Sequence, residues 1–143
     1  MKRLLSAALD EAKVGLSEGG IPIGSVLVRE SKIIARGYNR RIQDNDPLAH
    51  AEIVCLRNAG RIGSFHGLTL VSTLMPCHLC AGAVVQFGIA RVIVGESRNF
   101  QGARQFMEAH GVEVTDMNDQ DCVETMQSFI RSNPLVWKED IGQ

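Results

Sequence analysis

Aromatic residues are few in this sequence: its 143 positions hold five phenylalanines, one tyrosine and one tryptophan. Proline is scarce, at four residues, and neither sign of charge is in excess, 15 Lys and Arg standing against 16 Asp and Glu for a formal net charge of −1. That balance speaks against a protein built to grip nucleic acid, which shows as clustered basic residues. No apolar run is long enough to span a membrane. After Met1-Lys2-Arg3 the chain carries Ser6, Asp10, Glu11 and Lys13, so it lacks a signal-peptide core and is expected to be cytoplasmic. No repeat, low-complexity tract or linker divides the sequence. With 45% hydrophobic and 22% charged residues, positions 1–143 are expected to form a single domain.

Cysteine is also sparse, yet two of the four cysteines fall in one pentapeptide, Pro76-Cys77-His78-Leu79-Cys80. Together with His50 they offer three borderline-to-soft ligands for a tetrahedral ion, which points to zinc. Three protein ligands leave one position for water, the arrangement of a catalytic site. The thiolates bring the centre close to neutral, and the remaining Lewis acidity lowers the pKa of a bound water toward ~7. Glu52, two residues after His50, is then placed to carry protons. Pro76 suits the first turn of a helix, and His50 also precedes a helical pattern, so two helix N-termini are expected to face one ion.

A closed structural site is the competing reading. It would need a fourth ligand from His66, His78, His110, Cys55 or Cys122, and none has suitable spacing. Cys55 and Cys122 fall at apolar helical positions and read as small buried hydrophobes. Glu52 alone would pass for an ordinary carboxylate in a first helical turn; beside a metal ligand, the proton-carrier role takes precedence. Asn39 taken singly is a turn residue, Phe100 a loop aromatic, and Trp137 with Asp140 part of a charged tail.

Apolar spacing predicts a helix over 3–18 ended by Gly19-Gly20, then strands 21–28 and 33–38 joined as a hairpin. Helices over 49–58 and 77–87 alternate with strands over 68–73 and 91–95, implying parallel strands and right-handed crossovers. A further helix through Ala109, a strand over 112–114 and a helix from Asp119 to the Asn133-Pro134 break complete the pattern. Residues 135–143 read as a tail. The fold class expected is α/β: a three-layer α/β/α sandwich with a central mixed five-stranded sheet.

The spacing His50-Ala51-Glu52 followed by Pro76-Cys77-His78-Leu79-Cys80 matches the H-x-E…P-C-x-x-C signature of zinc-dependent nucleobase deaminases. Across nearly its whole length the sequence resembles the fungal-type cytosine deaminases of the cytidine-deaminase-like fold. The segments that carry the resemblance include Glu18-Gly19-Gly20-Ile21-Pro22-Ile23-Gly24, Arg36-Gly37-Tyr38-Asn39, Val94-Gly95-Glu96, Asn99-Phe100 and Trp137-Lys138-Glu139-Asp140-Ile141-Gly142. It implies one Zn2+ per subunit on His50, Cys77 and Cys80, and deamination of cytosine to uracil by zinc-hydroxide attack with Glu52 as proton shuttle. It further implies that Asn39, Ala51, Phe100, Trp137 and Asp140 bind the substrate: Asn39 on the amide edge, Asp140 on the exocyclic amino group, Phe100 and Trp137 as a lid. A homodimer and a place in pyrimidine salvage are implied as well. The family commonly has glycine where Ala51 stands, and the loop around Ile42 and Arg98 departs from the fungal pattern. Deamination of guanine, isocytosine or cytidine is therefore the alternative, followed by a tRNA adenosine deaminase and a non-catalytic zinc module.

Overall fold

The computed structural model describes all residues, 1–143. Its five strands are β1 (Gly24–Arg29), β2 (Lys32–Tyr38), β3 (Thr69–Leu74), β4 (Arg91–Glu96) and β5 (Glu113–Asp116), ordered β2-β1-β3-β4-β5. β1 is antiparallel to both β2 and β3, whereas β3, β4 and β5 run parallel. The six helices are α1 (Lys2–Ser17), α2 (Ala51–Ala59), α3 (His78–Phe87), α4 (Arg104–Ala109), α5 (Gln120–Ser132) and α6 (Pro134–Asp140).

Strand alternation sorts the side chains into two cores. Leu27, Leu70, Val92 and Val94 face one side and pack with Cys55 and Leu56 of α2, Ala81 and Val84 of α3 and Met107 of α4. Val26, Val28, Val71 and Ile93 face the other side, against Leu5, Ala8 and Ala12 of α1 and Cys122 of α5. The result is the expected α/β/α sandwich with a mixed sheet. A third cluster caps one end of the sheet, where Ile21, Ile23 and Leu74 meet Met126 and Phe129 of α5 and Trp137 of α6. No helix is long and apolar enough to cross a membrane.

Two expectations change. The first strand begins at Gly24 rather than residue 21. Pro22 has no N–H for a ladder, and the Ile23 amide bonds back to the Ile21 carbonyl at 2.8 Å, turning both isoleucines into the end cluster. The supposed tail is α6, with Pro134 at its first position, where a missing N–H costs nothing. Asn133-Pro134 thus ends α5 and starts the next helix.

One glycine sets how close α2 lies to the sheet. A Cβ on Gly37 would come within 2.4 Å of the Cys55 amide nitrogen, so only glycine lets α2 sit directly on β2. That contact fixes the helix that starts with Ala51 and Glu52, directly after His50.

Candidate active site

His50 is the N-cap of α2 and Cys77 the N-cap of α3, each with extended backbone. Pro76 lies one residue before that cap, not inside the first turn. Cys80 follows in the first turn of α3 and is fully buried. Two helix N-termini therefore converge at the carboxyl end of β3, and their dipoles favour thiolate there.

His50 Nδ1 lies 3.4 Å from Cys77 Sγ and 3.6 Å from Cys80 Sγ. All three ligand atoms are within 4.8 Å of one another. A tetrahedral zinc with bonds of about 2.0–2.3 Å has nitrogen-to-sulfur edges of about 3.5 Å, so both the donor set and its spacing fit the ion. Nδ1 is the nitrogen turned to the sulfurs; Nε2 points to Asp140, 3.9 Å from its Oδ1. None of the other histidines joins this group. His78 is exposed against the Phe106 ring, His66 lies between α2 and α3, and His110 bonds the Phe106 carbonyl. Cys55 and Cys122 are free and buried in the two cores.

Burial and charge tune these groups. The Cys77 sulfur is held at about 4, chiefly because the Cys80 thiol donates to it, with His50 adding to the effect. Cys80 is pushed well up by the same contact and by burial. A divalent cation bound here would favour the thiolate form of both sulfurs. For His50, burial opposes charge, but the hydrogen bond to Cys77 and the Glu52 carboxylate raise its pKa overall. Glu52, 4% exposed, is pushed up to about 7 by burial and then by the Cys77 charge. A carboxyl poised near neutral pH can both take and return a proton.

Beside this cluster is a small cavity of about 20 Å³, room for about one water. Asn39, His50, Glu52, Cys77, Phe100, Trp137 and Asp140 all border it. The Phe100 and Trp137 rings meet edge to face, centroids 6.0 Å apart. Asn39 Nδ2 and Asp140 Oδ1 are both buried without a hydrogen-bond partner. A buried donor and a buried acceptor left open beside one cavity suit a polar ligand. Asp140 is pushed up by burial, against the pull of His50 and Arg41. Ala51 is fully buried in the end cluster and does not border the cavity.

The remaining walls are Ile23, Leu74, Met75 and Ile141, which sequence reasoning passed over. Their apolar character is that of any core position, so only Met75, next to Pro76, carried a signal, through adjacency. The largest concavity, about 980 Å³, lies elsewhere, between α2 and α3, and holds none of the ligands.

Such a site, with one metal position, an adjacent buried carboxyl and a small pocket, is that of a zinc hydrolase. Residues 1–96 match the cytidine and deoxycytidylate deaminase zinc-binding region, and the chain belongs to that family. It is similar to the cytosine deaminase of Candida albicans, 42% identical over 99% of this chain and 97% of that one. The tRNA-specific adenosine deaminase of Haemophilus influenzae is 34% identical, covering 91% of this chain and 83% of that one. Among solved structures, guanine deaminase from Nitrosomonas europaea superposes with a TM-score of 0.78 at 20% identity, covering 88% of this chain and 82% of that one. At that identity the likeness shows the fold alone.

Proposed function

We propose that the chain deaminates free cytosine to uracil and ammonia, with one zinc per subunit held by His50, Cys77 and Cys80. The observation that carries this reading is a pair of buried atoms without a hydrogen-bond partner, Asn39 Nδ2 and Asp140 Oδ1, beside a cavity bordered by Glu52, His50 and Cys77. Cytosine has a ring carbonyl to accept from Asn39 and an exocyclic amino group to donate to Asp140. Resemblance to the Candida albicans cytosine deaminase over nearly the full length of both chains supports the same base.

Zinc, when bound, supplies the Lewis acidity that brings a water's pKa toward ~7. Glu52 takes one proton of the water as its oxygen bonds to C4 and passes it to the ring nitrogen; it then takes the proton of the resulting C4 hydroxyl and delivers it to the amino group, so that the C4–N bond breaks, ammonia leaves and C4 becomes a carbonyl. Asp140 steers the amino group out of the ring plane, Asn39 fixes the opposite edge, and Phe100 with Trp137 covers the ring and excludes bulk water. The cavity has less room than a pyrimidine needs, so α6, whose Trp137 and Asp140 border it, acts as a lid that moves to admit the base. A lid of this kind also disfavours a base flipped from tRNA, as does the net charge of −1.

The reading includes a homodimer through the face between α2 and α3, where Leu79 and Phe87 are 44% and 46% exposed. It also includes a reducing, cytoplasmic setting, supported by four free cysteines, and service in pyrimidine salvage. The deciding experiment is ammonia release by zinc-loaded protein from cytosine beside isocytosine, guanine, cytidine and adenosine. Selective turnover of cytosine is expected; preference for any other compound would overturn the substrate assignment.

A further inference from the structure

We propose that Arg41 is a positioning residue that latches Asp140, and with it α6, over the pocket, while its backbone amide orients Asn39. The inference rests on the proposed reading of that pocket as the nucleobase site. Arg41 belongs to the loop between β2 and α2, yet its side chain is only 12% exposed. Its Nη1 lies 3.2 Å from Asp140 Oδ1 and 3.7 Å from Glu139 Oε2. Its Nε donates to the Pro47 carbonyl at 3.1 Å, which pins the guanidinium to the loop. Its backbone N–H donates to Asn39 Oδ1 at 3.0 Å, occupying the carboxamide oxygen and leaving Nδ2 toward the cavity. One residue thus holds both open polar groups.

The adjacent Arg40 faces away. It pairs with Asp44 and Glu18 and lies over the Tyr38 ring, bracing the same loop against α1. The two arginines divide between loop anchorage and lid anchorage.

Physical reasons make the latch necessary. With seven residues, α6 is too short to persist without tertiary contacts. Asp140, with a side chain 6% exposed, needs a counter-ion to remain charged at that depth. His50 Nε2, at 3.9 Å, is beyond hydrogen-bond reach, so Arg41 is the nearest cation. The Arg41 contact is an ion pair off the hydrogen-bonding direction, so Oδ1 keeps its acceptor capacity for a ligand while gaining charge compensation. A lysine would supply charge without the planar, anchored geometry.

Trp137, the chain's sole tryptophan, sits on α6 and is 6% exposed, so its fluorescence reports lid docking without any substrate. In zinc-loaded Arg41→Ala, acrylamide quenching of Trp137 is expected to rise severalfold. KM for cytosine is expected to rise on the order of 10- to 100-fold, with kcat changed far less and zinc content retained. Arg41→Lys should recover part of both effects. In an Asp140→Asn background, Arg41→Ala should add little to the quenching, because the latch acts through that carboxylate. Unchanged quenching and KM in Arg41→Ala, or full additivity with Asp140→Asn, would overturn the proposal. Should Arg41→Ala fail to fold, Arg41→Lys and Arg41→Gln make the same comparison. If the wild-type protein leaves cytosine untouched, the nucleobase reading falls, while the quenching measurement still decides the latch.

Discussion

At residue scale, Glu52 and Asp119 show opposite uses of a carboxyl. Glu52 is buried and held near 7 by burial and the Cys77 charge. Glu52→Gln is expected to retain zinc, measured by metal analysis, and to lower ammonia release by at least about 10²–10⁴-fold; retained turnover in a clean preparation would remove its assigned role. Asp119 caps α5 by accepting from the Cys122 amide and pairs with Lys2 at 2.7 Å. Burial opposes its charge, but Lys2 and that amide outweigh burial and hold its carboxyl below the usual range. Because the folded pKa is the lower one, the stabilisation is present above the unfolded value near 3.8 and is lost as pH falls through the folded value. Asp119→Ala should cost about 1 kcal/mol in urea unfolding near neutral pH, and the difference from wild type should shrink in acid.

At the scale of elements, the β1–β2 hairpin and α6 are the most informative. Residues Glu30 and Ser31 connect β1 to β2 with φ of 49° and 69°, a two-residue turn that favours Asn-Gly. Replacing Glu30-Ser31 by Asn-Gly should raise stability by about 1 kcal/mol without changing turnover, as read by thermal unfolding and ammonia release. The polar run Arg29 to Lys32 announced this hairpin well, since β-branched alternation and turn position are local. Helix α6 was not legible. Its seven residues follow a proline and carry charges at Lys138, Glu139 and Asp140, a pattern shared with a solvated end. Contacts of Trp137 with Phe100 and the end cluster decide its conformation. Trp137→Ala should raise KM for cytosine by about tenfold or more, as expected when a buried aromatic cover is removed.

For the whole molecule, the site lies where parallel strands end. β3 leads into Met75-Pro76-Cys77, and β4 leads into the loop that carries Phe100. The turn after β4 is held by Glu96, fully buried, whose carboxylate accepts from the Asn99 backbone amide at 3.0 Å and the Asn99 side chain at 2.9 Å. Chelation should abolish activity and lower the melting temperature, both restored by zinc, because the ion would bind the folded ligand set far better than the open chain. The homodimer proposed through the face between α2 and α3 leads to the expectation that Leu79→Glu with Phe87→Glu yields monomers in sedimentation; a mass equal to that of the wild type would exclude that face as the contact.

The clustering of His50, Cys77 and Cys80 with Glu52 close by, the strand–helix alternation and the layer order were readable from sequence by itself, because ligand chemistry depends on residue type and periodicity is local along the chain. Tertiary structure alone decided that α6 is a helix, that Ile21 to Ile23 turn into the end cluster, and that Asn39 and Asp140 leave an open donor and acceptor at one cavity. It also decided that Arg41 lies between them. Those outcomes join residues about a hundred positions apart, and such pairing depends on packing and on the neutralisation of buried charge, neither of which leaves a periodic mark in the sequence.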